Sequence, residues 1–262
     1  MNYKTLLFGL ADGVATVTLN RPDAANAINL DMGRDLMHAA IRCDEDPEVR
    51  AVILRAGGKM FCAGGDVKSF AAAGEGLPLV LKELTVYLHA AVSRFARMRA
   101  PMVAAVQGMA AGAGFSIAMA ADFVVAARCA KFTMAYTGIG LAPDGSSTWV
   151  LPRLIGARRT AELMITNRLL SAEEALDWGL VNSVVEDDRV HTEAEALARK
   201  LAAGPTEAYG AVKRLLLESH QDSLESQMER EAREIAQVAR TEDARGAIRA
   251  FVEKKKPRFS GR

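Results

Sequence analysis

Two periods of apolar residues alternate along the chain. The segments YKTLLFGL and VATVTLN alternate apolar and polar positions around Asp12-Gly13, a pair that tolerates positive φ, so the chain is predicted to open with a β-hairpin. NLDMGRDLMHAAIRCDEDP then carries the helical period and stops near Pro47, while RAVILRAGG is a short apolar run of the kind that forms a buried strand, ending in a glycine turn. The alternation repeats. Leu77, Leu81, Leu84, Leu88, Val92 and Phe95 form one stripe of a helix predicted over Leu77 to Met98, Pro101 ends it, and MVAAVQG is a second buried strand entering a second glycine turn. DFVVAA and KFTMA read as further strands, and STWVLPRLIGARRTAELMITN and SAEEALDWG as helices. From about Val190 onward the pattern is helical over 189–203, 206–219, 222–240 and 242–254, with Gly204-Pro205 at the first break. Buried strands alternating with helices, followed by a helical end, predict an α/β core over 1–200 and a helical region over 201–262, with no long linker to make them independent.

Composition narrows the class without naming a chemistry. Half of the 262 residues are apolar, enough for a large core, and 33 Lys plus Arg against 32 Asp plus Glu leave no global field to draw nucleic acid or a membrane surface. An anionic ligand must therefore be met locally, although the tail EKKKPRFSGR is basic. Cys43, Cys62 and Cys129 lack the spacing of a metal site or a disulfide framework, which points to a reducing cytoplasm. No signal-peptide pattern is present at the N-terminus. The low-charge run Pro101 to Ala121 has glycines at its middle, so it reads as a buried strand and helix and not as a membrane span.

The two glycine turns, GGKMFCAGGDV (57–67) and QGMAAGAGFS (107–116), are the first candidate chemistry. Each places small residues between a buried strand and a helix, where backbone N–H groups can point into a crevice. Two such turns facing each other make an oxyanion hole; one alone serves equally well as tight packing. The nucleotide motifs fail, because Ile117 stands where the third glycine of a dinucleotide fingerprint belongs and no Walker A pair follows.

LNRPDAANAI, FCAGGDVKSF, PMVAAVQGMAAGAGFSIAMAADFVVAA, KFTMAYTGIGLAPDGSSTWVLPRLIG, SAEEALDWGLV and AFVEKKKPRF, in that order, resemble the crotonase (enoyl-CoA hydratase/isomerase) superfamily over nearly the whole chain. The resemblance implies a crotonase-like spiral of ββα units with a C-terminal helical trimerisation region, and a homo-oligomer, trimer or dimer of trimers. It implies an acyl-CoA thioester as substrate, with no permanently bound cofactor and no metal. Its oxyanion-hole donors correspond to the N–H groups of Gly65 and Ala113. Its coenzyme contacts correspond to Ala24, Ala63, Asp66 and Val67, with Arg21 and Lys68 as candidates for the phosphates, and Phe251 and Lys254 reaching a neighbouring subunit's coenzyme; for Lys254 a solvated, frayed tail is an equal reading.

The hydratases of that superfamily use two glutamates, and here those positions hold Ser116 and Tyr136, which leaves them as pocket residues and removes the usual hydration pair. Asp144, in GLAPDG, is the remaining acid and matches the branch whose acid lies in this turn, which implies an enoyl-CoA isomerase. As an isolated feature, Pro-Asp-Gly is a favourable type I turn with a self-capped Asp. His89 corresponds to a histidine base of the hydrolytic 4-chlorobenzoyl-CoA dehalogenases, where it works with the aspartate; a half-buried helix histidine is the plainer reading. A His89, Ser116, Asp144 thioesterase triad, an atypical hydratase and a non-catalytic acyl-CoA-binding protein complete the alternatives.

Overall fold

In a computed structural model, which describes residues 2–262, β1 (Leu6–Ala11) and β2 (Val14–Leu19) form the expected antiparallel hairpin. Asp12 at φ 52° and Gly13 at φ 77° give the turn the left-handed conformation that matches the twist of the strands. Asn29 caps α1 (Leu30–Glu45), accepting the Met32 N–H, and α1 carries the chain across to β3 (Ala51–Ala56), parallel to β2. After the first glycine turn come α2 (Val67–Ala73) and the long α3 (Leu77–Arg97), whose buried stripe is Leu84, Leu88, Val92 and Phe95 while Leu77 and Leu81 are only partly covered.

The chain then repeats one step. β4 (Met102–Val106), buried at every residue, joins the large sheet; β5 (Met109–Ala111) starts a small sheet; α4 (Ala113–Met119) follows. β6 (Phe123–Ala127), β7 (Lys131–Thr133) and α5 (Ser147–Thr166) make the next turn of the spiral, and β8 (Leu170–Ser171), α6 (Ala172–Asp177) and β9 (Ser183–Val185) close it. The six-stranded sheet has the order β1-β2-β3-β4-β6-β9 and the three-stranded sheet β5-β7-β8. A Cys62 to Ala110 bridge ties the first glycine turn to β5, so the earlier turn of the spiral also reaches the small sheet.

The short strands β5, β8 and β9 were not predicted. Two or three residues are too few to show a period, and β5 lies among the alanines and glycines of a turn. The predicted helix over 147–167 is two pieces: Gly156, at φ 77° and ψ 161°, breaks α5. Helical segments α7 (Val190–Ala202), α8 (Thr206–Glu218), α9 (Leu224–Val238) and α10 (Glu242–Val252) fall where expected. A boundary at residue 200 would cut α7; the break comes after it, at Gly204-Pro205. α8 rests on α3, whereas α9 buries none of its residues. The last residues are not frayed. Buried Asp243 accepts the N–H groups of Ser260 (2.6 Å) and Gly261 (2.8 Å), and Arg50 Nη1 donates to the Phe259 carbonyl (3.1 Å).

Candidate active site

The two glycine turns meet. A Cβ on Gly64 would lie 3.0 Å from the Ala111 carbonyl oxygen and 3.4 Å from Gly112 Cα, and one on Gly114 would lie 2.5 Å from both Cβ and O of Cys62. Only hydrogens fit there, so the backbones approach as closely as two chains can. The Cys62 thiol is buried between them, accepts the Gly64 N–H (3.4 Å) and donates to the Asn26 carbonyl (3.1 Å). Burial pushes it up to about 12, so it packs as a thiol and offers no nucleophile.

Around that contact, the Gly64 carbonyl accepts from Ile28 N (2.7 Å) and Asp66 N donates to the Ile28 carbonyl (3.0 Å), which turns the intervening Gly65 N–H away from its neighbour. Ala113 is the first residue of α4, where helix geometry leaves its N–H without an intrahelical acceptor. Neither N–H donates to an acceptor among the described residues.

Above the second turn stand the four predicted polar side chains. Tyr136 donates its hydroxyl to Asp144 Oδ1, and the same hydroxyl lies 3.3 Å from Ser116 Oγ, which also donates to the Gly112 carbonyl (3.3 Å). Burial, then the Asp144 charge, raises the Tyr136 phenol far above its ordinary range, so it remains a donor. The turn that presents Asp144 is not the type I turn that Pro-Asp-Gly suggests. Gly145 and Ser146 both have positive φ, 61° and 71°, and Ser147 N–H and Oγ bond the Asp144 carbonyl (3.2 and 2.9 Å), leaving the carboxylate free to face Tyr136. A Cβ on Gly145 would come within 2.9 Å of Ser116 Cβ, so a glycine is required for this turn to sit against α4.

His89 reaches the same place from α3. Its Nε2 accepts the Gly145 N–H (3.2 Å) and lies 4.0 Å from Asp144 Oδ2, with the ring about half exposed. Ser116 and His89 make no hydrogen bond to each other, so the thioesterase triad is not assembled.

The predicted coenzyme contacts gather at the other rim. Ala24 N–H donates to the Arg21 carbonyl and Ala63 N–H to the Ala25 carbonyl, both at 3.0 Å, joining the NRPD loop to the first glycine turn. Arg21 is committed within the chain: one arm pairs with Asp66 Oδ2 (2.9 Å) and the other meets the Ala27 carbonyl. Burial by itself would raise the Asp66 carboxyl, but hydrogen bonds from Arg21 and from Ser69 outweigh it and hold it below the usual carboxylate range. Val67 and Lys68, in the first turn of α2, are exposed. Phe251, 84% exposed, and Lys254, at φ 55° beyond α10, project from the far end of the chain and line none of this site.

Sequence reasoning missed Asn26. It is fully buried at φ 54°, and its amide bonds the carbonyls of Gly57 and Met60 (2.9 Å each), bracing the first glycine turn. The run AAN offered no signal beyond the tolerance of Asn for positive φ. It also missed a cavity of about 910 Å³ that opens beside His89 and Asp144 and runs between α3, α5 and α8.

The enoyl-CoA hydratase/isomerase family profile matches residues 9–262. The chain belongs to that family. It is 35% identical over 258 residues to 1,2-epoxyphenylacetyl-CoA isomerase of Escherichia coli, covering 98% of each chain. It is 36% identical to 4-chlorobenzoyl coenzyme A dehalogenase-2 of an Arthrobacter species, over 86% of this chain and 82% of the relative. The crystal structure of an enoyl-CoA hydratase from a Polaromonas species superposes with a TM-score of 0.92 at 31% identity, over 97% of this chain and 99% of that one. The fold is thus the crotonase spiral, and the chain is an enoyl-CoA hydratase/isomerase family member. Its relatives span isomerase, dehalogenase and hydratase. Among the described residues no group of three or more His, Cys, Asp or Glu is arranged to hold a metal ion, and no helix is long and apolar enough to cross a membrane.

Proposed function

We propose that the protein is an enoyl-CoA isomerase in which Asp144 moves the proton and the N–H groups of Gly65 and Ala113 hold the thioester oxygen. The supporting observation is the Asp144 carboxylate itself. It is oriented by Tyr136, while Ser116 and Tyr136, at the positions of the hydratase glutamates, bring only hydroxyl groups, 3.3 Å apart. The carboxylate takes a proton from C2 of a 3-enoyl thioester. The electron pair moves into the thioester as a dienolate whose oxygen accepts the two N–H groups, and the same proton returns at C4 to leave the 2-enoyl isomer. No water enters and no group leaves.

Hydrolytic dehalogenation is the second reading, favoured by the 4.0 Å approach of His89 to Asp144 and by the dehalogenase relative. Asp144 would displace halide from an aryl thioester, and His89 would then activate the water that opens the aryl ester. Against it, His89 Nε2 already accepts the Gly145 N–H. Trimerisation belongs to the same proposal, since Leu224, Met228 and Ile235 leave an apolar face of α9 exposed in the single chain. Three free cysteines, two of them buried, suit a cytoplasmic location.

A substrate panel separates the readings. The protein should convert 3-enoyl-CoA to 2-enoyl-CoA, and Asp144→Asn should lower kcat by about 10²–10⁴-fold, the range for loss of a general acid-base. Rapid hydration of crotonyl-CoA that survives Asp144→Asn, or halide release from 4-chlorobenzoyl-CoA, would overturn the isomerase assignment.

A further inference from the structure

The turn that carries Asp144 is not held by its own residues. Gly145 and Ser146 stand at φ 61° and 71°, and the serine is an L-residue in the left-handed region, a conformation that persists only where the surroundings impose it. Ser146 occupies the capping position of α5, yet its hydroxyl caps nothing: the Oγ is buried and meets no partner among the described residues. Two hydrogen bonds reach the turn from outside α5. Tyr136 bonds the Asp144 carboxylate, and His89 accepts the Gly145 N–H through Nε2 (3.2 Å). Among the described residues the second is the only bond from outside α5 that reaches the backbone over 143–146.

α3 supplies that contact beside a packed neighbour. A Cβ on Gly145 would lie 2.9 Å from Ser116 Cβ and 3.9 Å from Cδ2 of Leu88, the buried residue before His89, so the glycine is wedged between α4 and α3. Packing fixes where the turn sits but carries no direction. The His89 bond is directional, and the peptide that it orients is the one joining Asp144 to Gly145. It also fixes the ring. To accept, Nε2 must be unprotonated, so the proton of the neutral imidazole is on Nδ1, and the engaged lone pair is not free to take a proton from water or substrate.

We infer that His89 is a positioning residue for Asp144: its Nε2 lone pair holds the Gly145 N–H and, through that peptide, sets the carboxylate. The inference deepens the isomerase proposal and rests on Asp144 being its acid-base. It separates acceptance from basicity. A glutamine, whose Oε1 stands about where Nε2 does and accepts without being basic, would serve in the same place, whereas a leucine would not.

The test uses the full chain and trans-3-hexenoyl-CoA. His89→Leu should lower kcat about tenfold with KM and Tm little changed, and His89→Gln should return kcat to within about threefold of the parent. Amide hydrogen exchange over 141–150, read by mass spectrometry, should quicken in His89→Leu and slow again in His89→Gln. Full kcat in His89→Leu would overturn the inference. So would a kcat as low in His89→Gln as in His89→Leu, the pattern of a basic imidazole. If the intact protein shifts no 3-enoyl double bond, the isomerase assignment falls and exchange alone decides: quickening that His89→Gln reverses leaves the hold on the turn standing, and unchanged exchange removes it.

Discussion

The hydroxyl of Tyr136 occupies one oxygen of Asp144, so in the proposed isomerisation the proton would be carried by the other, Oδ2, on the side of His89. Tyr136→Phe removes a hydrogen bond to a charged group, worth about 1.5–3 kcal/mol, and leaves the carboxylate free to rotate. The expected result is a kcat lower by about tenfold or more with KM little changed, read from steady-state isomerisation kinetics. Gly114 makes a different contribution. Its missing side chain lets α4 start against Cys62, and a methyl group there would sit 2.5 Å from backbone and side chain at once. Gly114→Ala should therefore cost about 1–3 kcal/mol in denaturant unfolding and lower activity as well, because the shift moves Ala113. At this scale the membership of the side-chain cluster was largely legible. Asp144, Tyr136, Ser116 and His89 were named from the sequence and stand within hydrogen-bond reach of one another or of the same turn. Their partners were not legible. That His89 spends its Nε2 on the Gly145 N–H, and that Arg21 is taken up by Asp66, depend on contacts between residues 56 and 45 positions apart.

At the scale of elements, α2 shows how the NRPD loop is tied to the first glycine turn. Asp66 caps the helix through Ser69 N (3.2 Å) and fixes Arg21 across the NRPD loop. Its folded-state value lies below the ordinary 3.8, so the stabilisation is fully present above 3.8 and disappears as pH falls through the lower folded value. Unfolding free energy should therefore decline on acidification through that window, and Asp66→Asn should flatten the decline, measured by urea denaturation at a series of pH values. The long elements were readable because each repeats its period several times, as α3 does from Leu84 to Phe95. β5 and β8 were not, since such short segments carry too few repeats, and the Gly156 break in α5 was hidden because one glycine in a helical pattern is usually tolerated.

Across the whole molecule, an ion pair between buried Lys213 and partly exposed Asp122 helps hold the helical end to the spiral. Lys213 on α8 bonds Asp122 (2.7 Å) and the carbonyls of Phe95 (2.9 Å) and Ala100 (3.0 Å), and burial lowers the lysine and raises the aspartate from their ordinary values. Lys213→Met removes the donor to the Phe95 and Ala100 carbonyls and the counter-charge of Asp122, and should cost about 1–3 kcal/mol, the range for leaving buried polar groups unpaired, seen as a lower Tm and loosened α8 in hydrogen exchange. The proposed trimer or dimer of trimers, in which the exposed apolar face of α9 would be covered, predicts an assembly of three or six times the 28.1 kDa chain mass in light scattering, and a monomer there would refute it. By itself the sequence determined the alternation of strands and helices, the two glycine turns and the acid in the GLAPDG turn, because each is written in local period or in residue type. Only the tertiary structure decided that the turns touch, that Tyr136 steers Asp144, and that His89 meets the Gly145 N–H. Those facts follow from the sheet order, which brings distant segments within a few ångströms, and no local pattern of residues encodes such distances.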